Sequence, residues 1–307
     1  MTAVPDVEPV NHRSVPEAYF VDSTDGVSVA VYDFGGDGPL LMMCHATGFC
    51  GPMWAPIARA LSDRFHCVAL DFRGHGRTGR PDGVSLQWQG MGHDLLAVID
   101  DVRRRHLSSG PVFAIGHSMG GASIVLAELA RPGTIARAWA LEPILFPTPA
   151  DIEPNNDGVS PVHESPLVAG ARRRRPEFES RDAAFERYGS RPPFSEIDAE
   201  VLRLYVDEGF RDLPDGTVRL RCEPESEAQI FENSLCGAFY HLGEIGFPFL
   251  VAASGDGQAP AMVAETVVAQ NSNFELAEYP DLTHFGPFED PKRIAADAAE
   301  WFSQTSV

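Results

Sequence analysis

No apolar run in this chain approaches the roughly 20 residues needed to cross a bilayer. The first residues, Met1 to Val15, carry neither a basic segment nor an apolar one. A membrane span and a secretory signal are therefore not expected. Cysteine is sparse: Cys44, Cys50, Cys67, Cys222 and Cys236 make an odd set with no metal-like pairing. An odd count is a poor disulfide framework and reads as free thiols in a reducing cytoplasm. Positive charge is in deficit, with 24 Lys and Arg against 44 Asp and Glu and a formal net charge of −20. A chain this acidic has no generic affinity for nucleic acid or for an anionic membrane surface. Although there are 10 histidines, no His-x-x-x-His or similar ligand spacing occurs, so no metal is expected. Internal repeats are also absent.

What remains is ample for a globular protein. At 307 residues and 44% hydrophobic content, the chain can build one large α/β domain with an insertion, or two domains. Tyr19 to Val21 and Val27 to Tyr32 flank Asp25-Gly26, a hairpin signal. Leu40 to Cys44 and His66 to Leu70 are continuously apolar, which suits parallel strands buried on both faces. Helices are predicted over Trp54 to Leu61 and Gly92 to Leu107, and further strands over Val112 to Ile115, Ala136 to Leu141, Phe247 to Ala252 and Phe274 to Ala277. A terminal helix is predicted from Pro291 to Phe302. Such alternation argues a doubly wound, mostly parallel sheet with helices on both faces.

The alternation breaks between residues 146 and 245. A loop-like stretch (Pro147, Pro149, Pro154, Asn155, Asn156, Asp157, Gly158) precedes helical patterns around Leu167 to Arg175, Arg181 to Tyr188, Ile197 to Gly209 and Glu225 to Cys236. A helical insertion in such a sheet usually lies over the C-terminal strand edge, where ligands bind, so it reads as a lid. A purely structural or dimer-forming insertion is the alternative. The expected organisation is an N-terminal extension (1–17), a core (18–145 and 246–307) and a helical lid (146–245). The run Arg172 to Arg175 reads as a solvated helix face rather than a carboxylate-steering group.

The most informative segment runs from Val112 to Ala130. An apolar β-branched run enters Gly116-His117-Ser118-Met119-Gly120-Gly121 and leaves it as a helix-length apolar segment. A strand that turns into a helix within so few residues strains its apex, and small flanking residues must let strand and helix approach. Ser118 then stands at a helix N-terminus, where backbone N–H groups favour an oxyanion. It is the candidate nucleophile, against a tight turn with no chemistry.

Three further pieces join this one: Leu41-Met-Met-Cys-His45-Ala46-Thr47-Gly48-Phe49, Asp71-Phe-Arg73-Gly-His75-Gly, and His284-Phe-Gly-Pro-Phe-Glu-Asp290-Pro. Together they resemble the α/β-hydrolase superfamily, specifically its lid-bearing serine hydrolases, over roughly residues 18 to 145 and 246 to 303. The resemblance implies an α/β-hydrolase fold and hydrolysis of a carboxylic ester or lactone of a small, mostly apolar molecule. A serine nucleophile speaks against the aspartyl-ester chemistry of relatives that open epoxides or remove halide. Cleavage of a C–C bond or a thioester with the same residues is the enzymatic alternative. A ligand-binding member without turnover is the other. No cofactor is implied, the partner is a small molecule, and monomer and homodimer both stay open.

The same resemblance assigns roles. His284 is the base that activates Ser118. The acid that orients it must end a core strand nearby, and two positions qualify. Glu142 ends the sixth strand, where some members carry a glutamate. Asp256 ends the seventh, where most carry an aspartate, although the usual pattern aligns that acid with Gln258. Glu142 is preferred and Asp256 is the alternative. The oxyanion donors are the N–H groups of Met119 and Thr47, with Phe49 as fallback; the usual His-Gly is His45-Ala46 here. His45, His75 and His117 are expected to hold loop structure, and His93 and His106 to be ordinary helix residues.

Overall fold

The computed structural model describes residues 15–106, 109–147 and 165–304. The stretch from Pro149 to Gly158 read as loop, residues 1–14 of the expected extension, and Leu107 at the expected end of the second helix lie outside them.

The sheet is built from β1 (Tyr19–Asp22), β2 (Ser28–Gly35), β3 (Leu40–Cys44), β4 (His66–Leu70), β5 (Val112–His117) and β6 (Arg137–Leu141), later joined by β10 (Phe249–Ser254) and β11 (Phe274–Tyr279). Their spatial order is β1-β2-β4-β3-β5-β6-β10-β11. β1 and β2 pair antiparallel, β2 runs antiparallel to β4, and the strands from β4 to β11 are parallel. This is the doubly wound sheet the sequence implies, closed at one edge by the hairpin.

Side-chain alternation divides the interior into two layers. Leu40, Met42 and Cys44 of β3 pack with α2 (Trp88–Arg105) and α3 (Met119–Ala130). Leu41 and Met43 face the other way, toward α1 (Ala55–Leu61) and α11 (Pro291–Ser303). A central parallel strand needs apolar residues at every position because both faces are covered. Trp301 of α11 shows the energetic scale. Burying its ring contributes on the order of 4 kcal/mol, and its Nε1–H is satisfied by the Ala138 carbonyl at 2.7 Å.

The second helix begins at Trp88 rather than at Gly92. The added first turn brings Gly90 inside α2 together with Gly92, and at both positions a Cβ would collide with neighbours. At Gly92 it would come within 3.0 Å of the Leu126 and Ala127 backbone, and at Gly90 within 2.3 Å of the Arg73 guanidinium. Arg73 itself is fully buried. It donates to Asp94 at 2.8 and 3.0 Å and to Asp25 at 2.9 Å, tying the loop after β4 to α2 and to the hairpin turn. A buried guanidinium is tolerable only with such partners.

Between β6 and β10 lie α4 (Pro166–Arg172), α5 (Arg181–Gly189), α6 (Ala199–Gly209) and α7 (Pro224–Glu232). The same segment contains a small antiparallel sheet of β7 (Glu177–Phe178), β8 (Phe210–Asp212) and β9 (Val218–Leu220), in the order β7-β9-β8. Strands of two or three residues are too short to leave a period in the sequence. Phe178, Val201, Tyr205, Phe210 and Leu220 merge with the same apolar layer as α1 and α11, so the insertion is fused to the core. Two short helices, α8 (Ala259–Met262) and α9 (Ala264–Val268), follow β10, and α10 (Gly286–Glu289) precedes α11. Among the described residues, no helix is long and apolar enough to cross a membrane.

Candidate active site

Ser118 sits between β5 and α3 with φ 53° and ψ −116°, a conformation costly for any residue with a side chain. The surroundings enforce it. Its N–H donates to the Leu141 carbonyl at 3.0 Å, and its own carbonyl accepts from Gly121 at 3.0 Å and from Ile144 at 3.3 Å. The flanking glycines are sterically required. A Cβ on Gly116 would lie 2.7 Å from the Gly121 nitrogen, and one on Gly120 would lie 2.1 Å from the Cys44 carbonyl oxygen. Strand, helix and the end of β3 thus converge on the serine.

Glu142, the first residue after β6, also has a left-handed backbone, with φ 47°. Its N–H donates to the Ala252 carbonyl at 2.8 Å, which locks the turn. The side chain is fully buried and both oxygens are engaged. Oε1 accepts from the Ser254 N–H at 2.8 Å, and Oε2 lies 2.5 Å from His284 Nδ1. With Nδ1 donating to a carboxylate, the neutral ring keeps its lone pair on Nε2.

Asp256 reaches the same histidine differently. Its Oδ2 accepts the His284 backbone N–H at 2.9 Å and the Gln258 side-chain amide at 3.0 Å. Its Oδ1 accepts from the Ser254 hydroxyl at 2.9 Å and the Gln258 N–H at 3.0 Å. Burial alone would raise this carboxyl, but the Gln258 and His284 N–H groups, the Ser254 hydroxyl and the nearby imidazole outweigh it and hold the pKa below its ordinary value. Glu142 therefore meets the ring, while Asp256 meets the loop that carries it.

His117 grips that loop from below. Its Nε2–H donates to the His284 carbonyl at 2.6 Å, and the two rings stand 4.9 Å apart. Burial, reinforced by the neighbouring His284, pushes its pKa well down, so it stays neutral. The sequence marks His117 only as a loop-holding residue; its grip on the His284 loop comes from the fold.

The loop after β3 is ordered by two neutral histidines. His45 donates from Nδ1 to the Ala46 carbonyl at 2.7 Å and accepts the Phe72 N–H at Nε2, 3.0 Å away. His75 accepts the Gly48 N–H at 3.0 Å. Burial lowers both, His45 to about 4. With the Phe49 N–H bonded to the Ala46 carbonyl at 3.2 Å, both the Gly48 and Phe49 amides are occupied. Thr47 is different. Among the described residues its N–H has no acceptor, and its hydroxyl touches Met119 Sδ at 3.4 Å, so the two expected oxyanion residues are neighbours.

The insertion covers this region with aromatic rings. Phe194 lies 6.0 Å from Phe49 and 6.0 Å from Phe285, the residue after His284, and Tyr205 lies 5.6 Å from Phe49. One arginine of the basic run also enters. Arg172, Arg173 and Arg175 are not buried, as a solvated face requires. Arg174 instead turns inward, paired with Glu227 at 2.5 Å and donating to the hydroxyls of Tyr188 at 3.0 Å and Tyr205 at 2.5 Å. A Cβ on Gly48 would come within 2.6 Å of Glu227 Oε1 and 3.2 Å of Arg174 Nη1, so this pair rests on the loop after β3. Four consecutive arginines give no signal as to which one turns inward.

The chain matches the family model for the alpha/beta hydrolase family over residues 41–298. It is 34% identical to protein phosphatase methylesterase 1 of Mus musculus over 122 residues, 36% of this chain and 31% of that enzyme. The aligned stretch thus spans under a third of that relative's length. Among solved structures, the peroxisomal alpha-beta-hydrolase Lpx1 of Saccharomyces cerevisiae superposes with a TM-score of 0.75 at 17% identity, covering 98% of this chain and 88% of that one. A thermophilic esterase from Thermogutta terrifontis gives a TM-score of 0.67 at 20% identity, covering 93% and 98%. At these identities the structural likeness is one of fold.

Proposed function

The chain belongs to the alpha/beta hydrolase family, and within it we propose a serine hydrolase that cleaves a carboxylic ester or lactone of a small, mostly apolar molecule. The observation that carries the reading is the 2.5 Å contact of His284 Nδ1 with the buried Glu142, in a loop held by His117, the residue preceding the strained Ser118. An esterase among the structural neighbours and a methylesterase among the sequence relatives are consistent with an ester bond.

In this mechanism Glu142 fixes the tautomer and stabilises the imidazolium once it forms. His284 Nε2 takes the Ser118 proton as Oγ attacks the carbonyl carbon, a contribution of about 10²- to 10⁴-fold. The N–H groups of Met119 and Thr47 receive the developing oxyanion, each worth about 3 kcal/mol. His284 then protonates the leaving alcohol, or the ring oxygen of a lactone. The same residue next activates a water that releases the acid from Ser118. Residues 146–245 act as the lid, and Phe49, Phe194 and Phe285 supply the apolar wall against which the substrate lies.

The test is covalent. A fluorophosphonate probe should label the wild-type protein, and p-nitrophenyl acetate and butyrate should be turned over. Both should vanish in Ser118→Ala. Folded wild type that neither labels nor turns over would move the protein to a binding role.

A further inference from the structure

At the opposite end of the strands from Ser118, three residues from separate elements converge. Asp33 lies in β2, His66 opens β4, and His106 follows the last residue of α2. His66 Nε2 is 2.7 Å from Asp33 Oδ1, and His106 Nε2 is 3.1 Å from Asp33 Oδ2. The two imidazole rings meet nearly edge to face, with centroids 4.3 Å apart. One ligand atom from each residue can be chosen so that all lie within 4.8 Å of one another.

We propose that Asp33, His66 and His106 form a binding site for a divalent transition ion of the zinc class. Two imidazole nitrogens and a carboxylate oxygen are a donor set such an ion accepts, leaving a fourth position for water. With metal–ligand distances of about 2.1 Å, ligand atoms in a tetrahedral site stand about 3.4 Å apart. The observed cluster needs only small side-chain rotations to reach that spacing. Binding moves each ring proton from Nε2 to Nδ1 and replaces two hydrogen bonds by coordination.

The frame beneath is already fixed. The Gly35 N–H donates to Asp33 Oδ1 at 2.9 Å across the bulge in β2, a hydrogen bond that orients the ligating carboxylate. The His66 N–H is held by the Pro39 carbonyl at 3.0 Å, and the His106 N–H by the Val102 carbonyl at 3.0 Å. Nearby cations do not repel an ion strongly. Arg104 and Arg105 both pair with Asp101, and Arg105 lies over the Tyr19 ring. His66 is largely covered, whereas His106 is exposed and gives the ion an entry path.

The ligands are 33 and 73 residues apart in sequence, which is why their spacing predicts no metal. The strands between this site and the serine are five or six residues long, so about 15–20 Å separates the two. The site would clamp the hairpin, the central sheet and α2 together without taking part in hydrolysis.

The experiment uses the full chain stripped with a chelator and titrated with Zn²⁺ and Co²⁺ by calorimetry and visible absorption. One equivalent should bind, Co²⁺ should give the intense bands of a four-coordinate site, and Zn²⁺ should raise the melting temperature. His106→Ala, at an exposed position, should weaken binding beyond the roughly 10- to 100-fold that loss of an outer partner costs. His66→Ala should do the same, and His241→Ala, outside the cluster, should change nothing. No stoichiometric binding would overturn the proposal, as would binding that survives in folded His106→Ala. Loss of ester hydrolysis in step with Zn²⁺ saturation would place the ion at His284 and also overturn it.

Discussion

Replacing Glu142 by glutamine separates the two carboxylates near His284. The Ser254 N–H, 2.8 Å from Oε1, needs an acceptor, so the introduced amide would keep its carbonyl oxygen there. Its nitrogen would then occupy the Oε2 position, 2.5 Å from Nδ1 in the native pair. Two donors cannot share that contact, so the ring would have to carry its proton on Nε2, the nitrogen that the proposed mechanism uses as base. The wrong tautomer costs on the order of 10⁴ in kcat where this has been studied in serine hydrolases, or about 5 kcal/mol of transition-state stabilisation. Asp256→Asn is milder. An asparagine oxygen can still accept the His284 N–H, and the bonds lost are those that Oδ1 accepts from the Gln258 N–H and the Ser254 hydroxyl, together worth about 1–3 kcal/mol. Steady-state kcat for p-nitrophenyl butyrate, measured in both variants with circular dichroism as the folding control, should fall by about 10⁴ in the first and about 10-fold in the second. Near-normal turnover in Glu142→Gln together with collapse in Asp256→Asn would refute the reasoning.

Gly120→Ala places a methyl group 2.1 Å from the Cys44 carbonyl oxygen, so α3 must back away from β3 and carry Met119 from Thr47. Stability should drop by roughly 1–3 kcal/mol and kcat by far more than that implies, which urea melts and kinetics on the same sample would check. Acid should also weaken the fold before most carboxylates titrate. His45 has its pKa lowered to about 4 from 6.5 by burial. The unfolded chain therefore binds the extra proton first, and the contribution is full above pH 6.5 and lost progressively toward pH 4, on the order of 3 kcal/mol. His75 and His117 are shifted the same way. The urea midpoint should be lower at about pH 5 than at about pH 7, and equal midpoints would contradict a neutral buried His45.

The parts of the fold that were legible are those where one local rule decides the outcome. β3 and β4 have no polar residue beyond His66, so double burial reads directly from their letters. The elbow reads from three glycines whose missing side chains are needed for strand–helix contact. Where tertiary packing sets the outcome, local rules fail. The helix expected from Gly92 begins instead at Trp88, and Gly90 and Gly92 are accommodated inside α2 because Arg73 and α3 pack against them. The inward turn of Arg174 depends on Glu227, 53 residues away, and no pattern within four arginines encodes it.

The choice between Glu142 and Asp256 has the same origin. β6 and β10 are adjacent and parallel, with Leu141 opposite Ala252, so their C-terminal ends lie side by side. Neighbouring strands are about 4.8 Å apart, less than the reach of a glutamate side chain plus a hydrogen bond. A carboxylate at either strand end can therefore approach the same histidine. Glu142 does so by a longer side chain from a left-handed turn, and its second oxygen is anchored on the Ser254 N–H, 112 residues away in sequence. That anchor lies on the strand where Asp256 begins its own loop. The shorter Asp256 is then left to hold the His284 backbone. Moving the acid from one strand to the next changes its sequence position by over a hundred residues and its place in space by one strand spacing. Sequence order sees the first change and is blind to the second, so two candidates survive there although a single carboxylate touches the ring.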